Sequence, residues 1–208
     1  MNEIKETIKI ISKEQEFSFK EKGSEFIAHS FYIESEEEAI EKLSAIKKKF
    51  YDAVHHCYAY SIGYEKSKYS DDGEPNGTAG IRIFNAINHF ELTNVIVTVV
   101  RYFGGVKLGV GPLGKAYYFS AEQLLSNSPI SIKTAYQRIE IFYTYEQISK
   151  VHYLINQNDA IIEKTLYEPE LKIVCLVLIS KIGRFVEELI DFSGGLISTN
   201  LTNEIKYL

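Results

Sequence analysis

The stretch RYFGGVKLGVGPLGKAY, Arg101 to Tyr117, decides what kind of sheet this chain builds. Gly109-Val110-Gly111-Pro112-Leu113-Gly114 reads G-x-G-x-x-G, the dinucleotide fingerprint, and Gly109 to Lys115 reads G-x-x-x-x-G-K, a P-loop without its final Ser or Thr. Either pattern, if genuine, demands a parallel α/β sheet. The context denies both. Ala116 stands where a P-loop needs a hydroxyl for magnesium, and Pro112 removes one of the N–H groups that would cradle phosphate. Gly104, Gly105, Val106, Lys107 and Leu108 separate the strand-like run NVIVTVVRYF from the first fingerprint glycine. SPISIKTAYQ, where a dinucleotide fold places an acidic residue, offers none.

Loop physics survives this elimination. Gly104, Gly105, Gly109, Gly111 and Gly114 let backbone approach a ligand or other backbone closely. Pro112 suits the first position of a helix, which leaves N–H groups at Leu113 and Gly114 free in a positive dipole field. Arg101, Lys107 and Lys115 surround them, and no acid occurs from Arg101 to Ala121. Two readings stay open: an anion site, and a tight strand-to-helix connection whose glycines only solve packing.

The totals narrow the classes. A length of 208 residues suits one large domain or two small ones, and 45% hydrophobic with 25% charged residues can fill a core. Net charge is −5, so any nucleic-acid contact must come from a local patch. The start, MNEIKETIKI, lacks the apolar segment of a signal peptide, and no apolar run is long enough to span a bilayer. Cys57 and Cys175 make no disulfide framework, which points to a reducing cytoplasm.

Working outward, KETIKIISKEQEFSFKEKGSEFIAHSFYIES alternates in two runs broken at Gly23, hence two strands. Ser35 with Glu38 forms a capping box for a helix bearing Ile40, Leu43, Ile46 and Phe50, with Lys47, Lys48 and Lys49 at its negative end. HHCYAYSIGY reads as a strand, EKSKYSDDGEPNGTAG as a loop, and AGIRIFNAINHF as a helix capped by Thr78. NVIVTVVRYF is a central strand, a helix runs to about Ser126, and NSPISIKTAY is a linker. After it come a strand (YQRIEIFYTY), a helix (EQISKVHYLINQN), a hairpin turning near Pro169, a helix (GRFVEELIDFS) and a last strand. That is β-α-β-β-α-β, the ferredoxin-like order. The fold class is therefore α+β, with an amino-terminal domain at 1–128 and a carboxy-terminal domain at 136–208.

The second polar constellation is SDDGEPNGTAG. Asp71, Asp72, Gly73 and Glu74 could hold a hard cation, but the spacing is not an EF-hand and the residues make good turns. A simpler expectation is that these acids pair with Arg101 or Lys107 across neighbouring loops. HHC at 55–57 has no second Cys/His pair to complete a zinc site, and no nucleophile elbow occurs. The residues thus imply no metal, no cofactor and no assigned catalytic group.

HHCYAY, SDDGEPNGTAG and RYFGGVKLGVGPLGKAY together resemble the IMPACT/YigZ family along the whole chain. The resemblance implies an amino-terminal domain of the left-handed β-α-β type, similar to domain IV of elongation factor G. It also implies a carboxy-terminal domain similar to domain V of that factor. It points to a binding protein in translational control whose partner is the ribosome, structured RNA or a translation-linked protein. Two positions depart from the family pattern: Pro112 replaces a glycine, and Arg82 replaces a proline after T-A-G. The candidate surface is accordingly the glycine loop with Arg101, Lys107, Lys115 and Arg82. The alternative is an enzyme acting on a phosphorylated small molecule where the acidic and glycine loops converge. The sequence leaves the oligomeric state open.

Overall fold

The computed structural model describes residues 4–63, 65–168 and 170–208. They form two compact units, and the division falls inside two strands. Lys9–Ile132 make one unit, and Lys133–Leu208 together with residues up to Ile8 make the other. The first strand therefore does not belong wholly to the amino-terminal unit, as a boundary at 128 implied. The expected linker at NSPISIKTAY is itself a strand.

The larger unit is a five-stranded antiparallel sheet. Its order is β2 (Gln15–Glu21), β3 (Ser24–Tyr32), β6 (Val95–Tyr102), β4 (His55–Ile62), β5 (Lys66–Ser70). The all-antiparallel pairing removes both nucleotide folds that the glycine motif suggested, since each needs parallel strands. β6 lies at the centre, as its β-branched run demands. Its alternation is two-sided: Val95, Val97 and Val99 face one core, and Ile96 faces another. The first core packs α2 (Gly80–His89) and α3 (Val110–Ser126) on the sheet through Ile83, Ile87, Leu113 and Tyr117. The second holds α1 (Glu36–Lys49) through Ala39 and Leu43, while Ile40, expected on that stripe, is exposed.

Local signals explain the ends of these elements. Ser35 Oγ accepts the Glu38 N–H at 3.1 Å. The Glu38 carboxylate takes the N–H of Glu34 at 2.8 Å rather than that of Ser35, so the box closes one residue early. The run before Gly23 holds two strands rather than one: β1 (Thr7–Ile11) lies in the other sheet, away from β2. The start of the presumed loop EKSKYS is β5, which pairs with β4. Its register was masked in the sequence by lysines, which suit an edge strand.

The second sheet orders β10 (Ser198–Tyr207), β7 (Ile130–Phe142), β9 (Lys172–Leu178) and β8 (Ile161–Leu166), all antiparallel, with β1 also pairing β7. α4 (Ile148–Gln157) and α5 (Ile182–Ser193) bury Val151, Leu154, Phe185 and Leu189 against Ile139, Ile173 and Cys175. This is the β-α-β-β-α-β order with the strand pattern 4-1-3-2 that antiparallel outer pairing produces. Gly194 at φ 65° and Gly195 at φ 83° end α5. The hairpin's strands are as expected, while Pro169, proposed for its turn, lies outside the described residues.

Candidate functional site

Three neighbouring segments of the larger unit build the site: the start of β4, the acidic loop and the glycine loop. Alternation on β4 puts His55 and Cys57 on the α3 side, and alternation on β6 puts Arg101 there too. Glu74 reaches in beneath them. Its side chain is only 4% exposed, and Arg101 Nη1 donates to its Oε1 at 2.7 Å. Tyr117 of α3 donates its hydroxyl to the same oxygen at 2.7 Å. A buried ion pair of this kind holds because the geometry is close and a second donor completes it.

Around that pair the other polar groups are also engaged. Cys57 Sγ lies 3.0 Å from the Asp71 carbonyl and 3.4 Å from the Tyr117 oxygen. Burial pushes the Cys57 thiol well above its ordinary pKa, so it is not a thiolate nucleophile at neutral pH. Burial also raises the Tyr117 hydroxyl, which stays a donor. His55 Nδ1 lies 2.8 Å from the Asp72 carbonyl, to which it can only donate, and Nε2 lies 3.8 Å from Glu74 Oε2.

The acids divide their work differently from the sequence expectation. Asp71, not Thr78, organises the start of α2. Its carboxylate accepts N–H bonds from Gly77 at 2.9 Å, Ala79 at 2.9 Å and Gly80 at 2.8 Å. Thr78 instead donates to the Pro75 carbonyl at 2.6 Å. Asp72 accepts the His56 N–H at 2.7 Å and pairs with Lys47 at 3.2 Å, while Glu74 pairs with Arg101. Gly73 turns the loop at φ 88°. Among the described residues no three His, Cys, Asp or Glu side chains gather as a metal-binding group.

The glycine loop splits into two kinds of glycine. A Cβ on Gly104 would stand 1.8 Å from the Gly23 carbonyl carbon, so that glycine serves backbone packing. Ser24 Oγ accepts both the Gly104 N–H and Arg101 Nη2, each at 3.3 Å. Gly105 and Gly109 have φ of 83° and 84°, conformations that favour glycine. Gly114 gives α2 and α3 room, since a Cβ there would lie 3.3 Å from Arg82 Nε. Gly111 has neither reason: its φ is ordinary and a Cβ would meet nothing within 4 Å.

α3 starts at Val110, earlier than Pro112 suggested, and the Leu113 N–H already bonds the Gly109 carbonyl at 2.9 Å. The open N–H groups are therefore those of Val110 and Gly111, not Leu113 and Gly114. A cavity of about 340 Å³ opens beside them, lined by His55, Glu74, Arg101, Phe103, Lys107 and Val110 among others. Lys115 and Arg82 line an adjoining hollow with Gly111. Arg82, Lys107 and Lys115 make no ion pair among the described residues; Arg82 Nε donates to the Gly77 carbonyl at 3.3 Å. The glycine and acidic loops thus share one cavity through Glu74, whereas Asp71 and Asp72 take the other side of their loop. Sequence reasoning left Tyr117, Ser24 and Phe103 without roles.

Comparison with known proteins agrees on kinship. Residues 22–125 match the family model of the Impact N-terminal domain. The IMPACT family member YigZ of Escherichia coli (strain K12) is 30% identical over 84% of this chain and 87% of its own length. The IMPACT family member YvyE of Bacillus subtilis (strain 168) is 29% identical over 83% of this chain and 80% of its own. A solved structure described only as a hypothetical protein superposes with a TM-score of 0.73, at 28% identity, over 96% of this chain and 99% of that one.

Proposed function

The chain belongs to the IMPACT family, and from that premise we propose that it is a binding protein of the translation machinery that grips phosphate-bearing RNA with the start of α3. The carrying observation is Gly111. It sits in the first turn of a 17-residue helix with no backbone or packing need for glycine. A glycine in that place leaves the Val110 and Gly111 N–H groups open to close approach. Lys107, Lys115 and Arg82 flank them without carboxylate partners among the described residues, so their charge points outward. The likeness to domains of elongation factor G belongs to this same reading.

The enzyme alternative has a location, but its candidate acids and the Cys57 thiol are already engaged by the fold. Asp71 is committed to backbone N–H groups, Asp72 to Lys47 and His56, Glu74 to Arg101 and Tyr117, and Cys57 is a buried thiol.

Co-sedimentation with ribosomes over a salt series tests the proposal. On a chain of net charge −5, binding should fall steeply with salt, because a small basic patch supplies the attraction. The Lys107→Glu, Lys115→Glu double variant should lose binding. A parent that stays in the supernatant at low salt, or a double variant that sediments like the parent, overturns the proposal.

A further inference from the structure

We infer that the cavity beside α3 takes one unpaired nucleotide, its base stacked on Phe103 and its phosphate at Lys107 and the open N–H groups of Val110 and Gly111. The inference rests on the reading just given and narrows it from RNA in general to single-stranded RNA.

The apolar exposure points this way. Phe103 is 49% exposed and lines the cavity. The Arg101 guanidinium lies over its ring, 5.6 Å from the centroid. That contact fixes the ring as a platform. Val110, 66% exposed, also lines the cavity with Leu108 and Pro75, so its wall is apolar as well as basic. Aromatic surface interleaved with cations is what an unstacked base requires, and duplex phosphates alone do not need it.

The interior of the cavity supplies polar groups of matching kind. Both close contacts of Glu74 go to Oε1, which leaves Oε2 as an acceptor, with His55 Nε2 3.8 Å from it. Arg101 also lines this cavity, and its buried Nε has no hydrogen-bond partner among the described residues. A carboxylate acceptor for a base edge and cations for a phosphate are thus present in one hollow. Its volume of about 340 Å³ is at the small end for ligand pockets, enough for a single nucleotide and too narrow for a duplex.

The test uses fluorescence anisotropy with a labelled mixed-sequence single-stranded RNA, and the same strand annealed to its complement. The single strand should bind the full chain at least about 10-fold tighter than the duplex, since stacking on one aromatic gives that scale of discrimination. Phe103→Ala should remove most of this preference while leaving the salt slope unchanged. Lys107→Glu should weaken both ligands and shrink the slope by about one. The chain has no tryptophan, so Phe103→Trp places a sole indole at the platform. Its emission should be quenched by the single strand and not by the duplex. Single-strand binding that ignores Phe103→Ala and leaves the indole unquenched overturns the inference and leaves the broader reading standing. Failure of any RNA to bind overturns both, and would redirect the basic and apolar surface to a protein partner.

Discussion

The acidic loop and the glycine loop lie on the same cavity, yet they use their polar groups in opposite directions. Residues 71–80 turn inward: Asp71 receives three backbone N–H groups, Asp72 one N–H and a lysine, and Glu74 an arginine and a tyrosine. Residues 104–115 turn outward: Lys107, Lys115 and the first N–H groups of α3 have no such partners among the described residues. Both stretches look equally functional as strings of Asp, Gly and Lys. The difference teaches that a polar residue's fate depends on which donors the fold brings within 3 Å.

Five substitutions test whether the division is real. The largest effect should come from Gly104→Ala, in the outward loop but on its inward side. The added Cβ would overlap the backbone of Gly23 and Ser24, and backbone cannot swing away as a side-chain tip can. We expect a loss of roughly 3 kcal/mol or more, read as failure to fold or a sharply lower thermal midpoint. A variant that melts like the parent would mean the β2–β3 turn yields freely.

Next should be Glu74→Ala. It strands a buried guanidinium whose side chain is 7% exposed, and one-sided removal of a buried pair costs about 3–5 kcal/mol. Denaturant unfolding should show the loss with little change in the slope m. A change below about 1 kcal/mol, the scale of an exposed pair, would place Glu74 on the outward side of the comparison.

Asp71→Ala should follow, at about 2 kcal/mol, because it leaves three N–H groups at the start of α2 without their acceptor. Thr78→Val should cost less, since it loses one hydroxyl bond to the Pro75 carbonyl. Comparing the two midpoints separates a carboxylate cap supplied from upstream from the local threonine cap that the sequence suggested. Equal losses would restore the threonine.

These cases also mark how far the sequence could be read. Strand and helix identities came through where period was strong, as in NVIVTVVRYF and GRFVEELIDFS. The carboxy-terminal element order came through because each turn carried its own punctuation. What escaped was set by tertiary pairing. KSKYS is a strand because β4 offers it an edge, and the stretch from Ile130 to Tyr136 is a strand because β1 pairs it and β9 and β10 join at its end. The Asp71 cap escaped because its acceptor sits six to nine residues from its donors, outside any local capping pattern. At the site, the meeting of Glu74 with Arg101 was legible from charge and proximity of loops. Tyr117 was not, because its role depends on the angle at which α3 crosses the sheet.

The smallest stability change should be that of Gly111→Ala, and it is the sharpest test. Every other glycine on this loop has a structural reason that a stability measurement will detect: overlap at Gly104, positive φ at Gly105 and Gly109, helix contact at Gly114. At Gly111 a Cβ meets nothing, and alanine is the better helix former by up to about 1 kcal/mol. The thermal midpoint should therefore hold or rise slightly. If glycine persists there to admit a phosphate against the N–H groups of the first turn, the same methyl that stabilises the free protein should obstruct the bound one. Ribosome or RNA affinity should then fall several-fold while the midpoint does not. A fall in both would mean the position is inward after all, and its open surroundings misleading. Unchanged affinity with a raised midpoint would mean the first turn of α3 touches no partner, and the outward direction of this loop would rest on Lys107 and Lys115 alone.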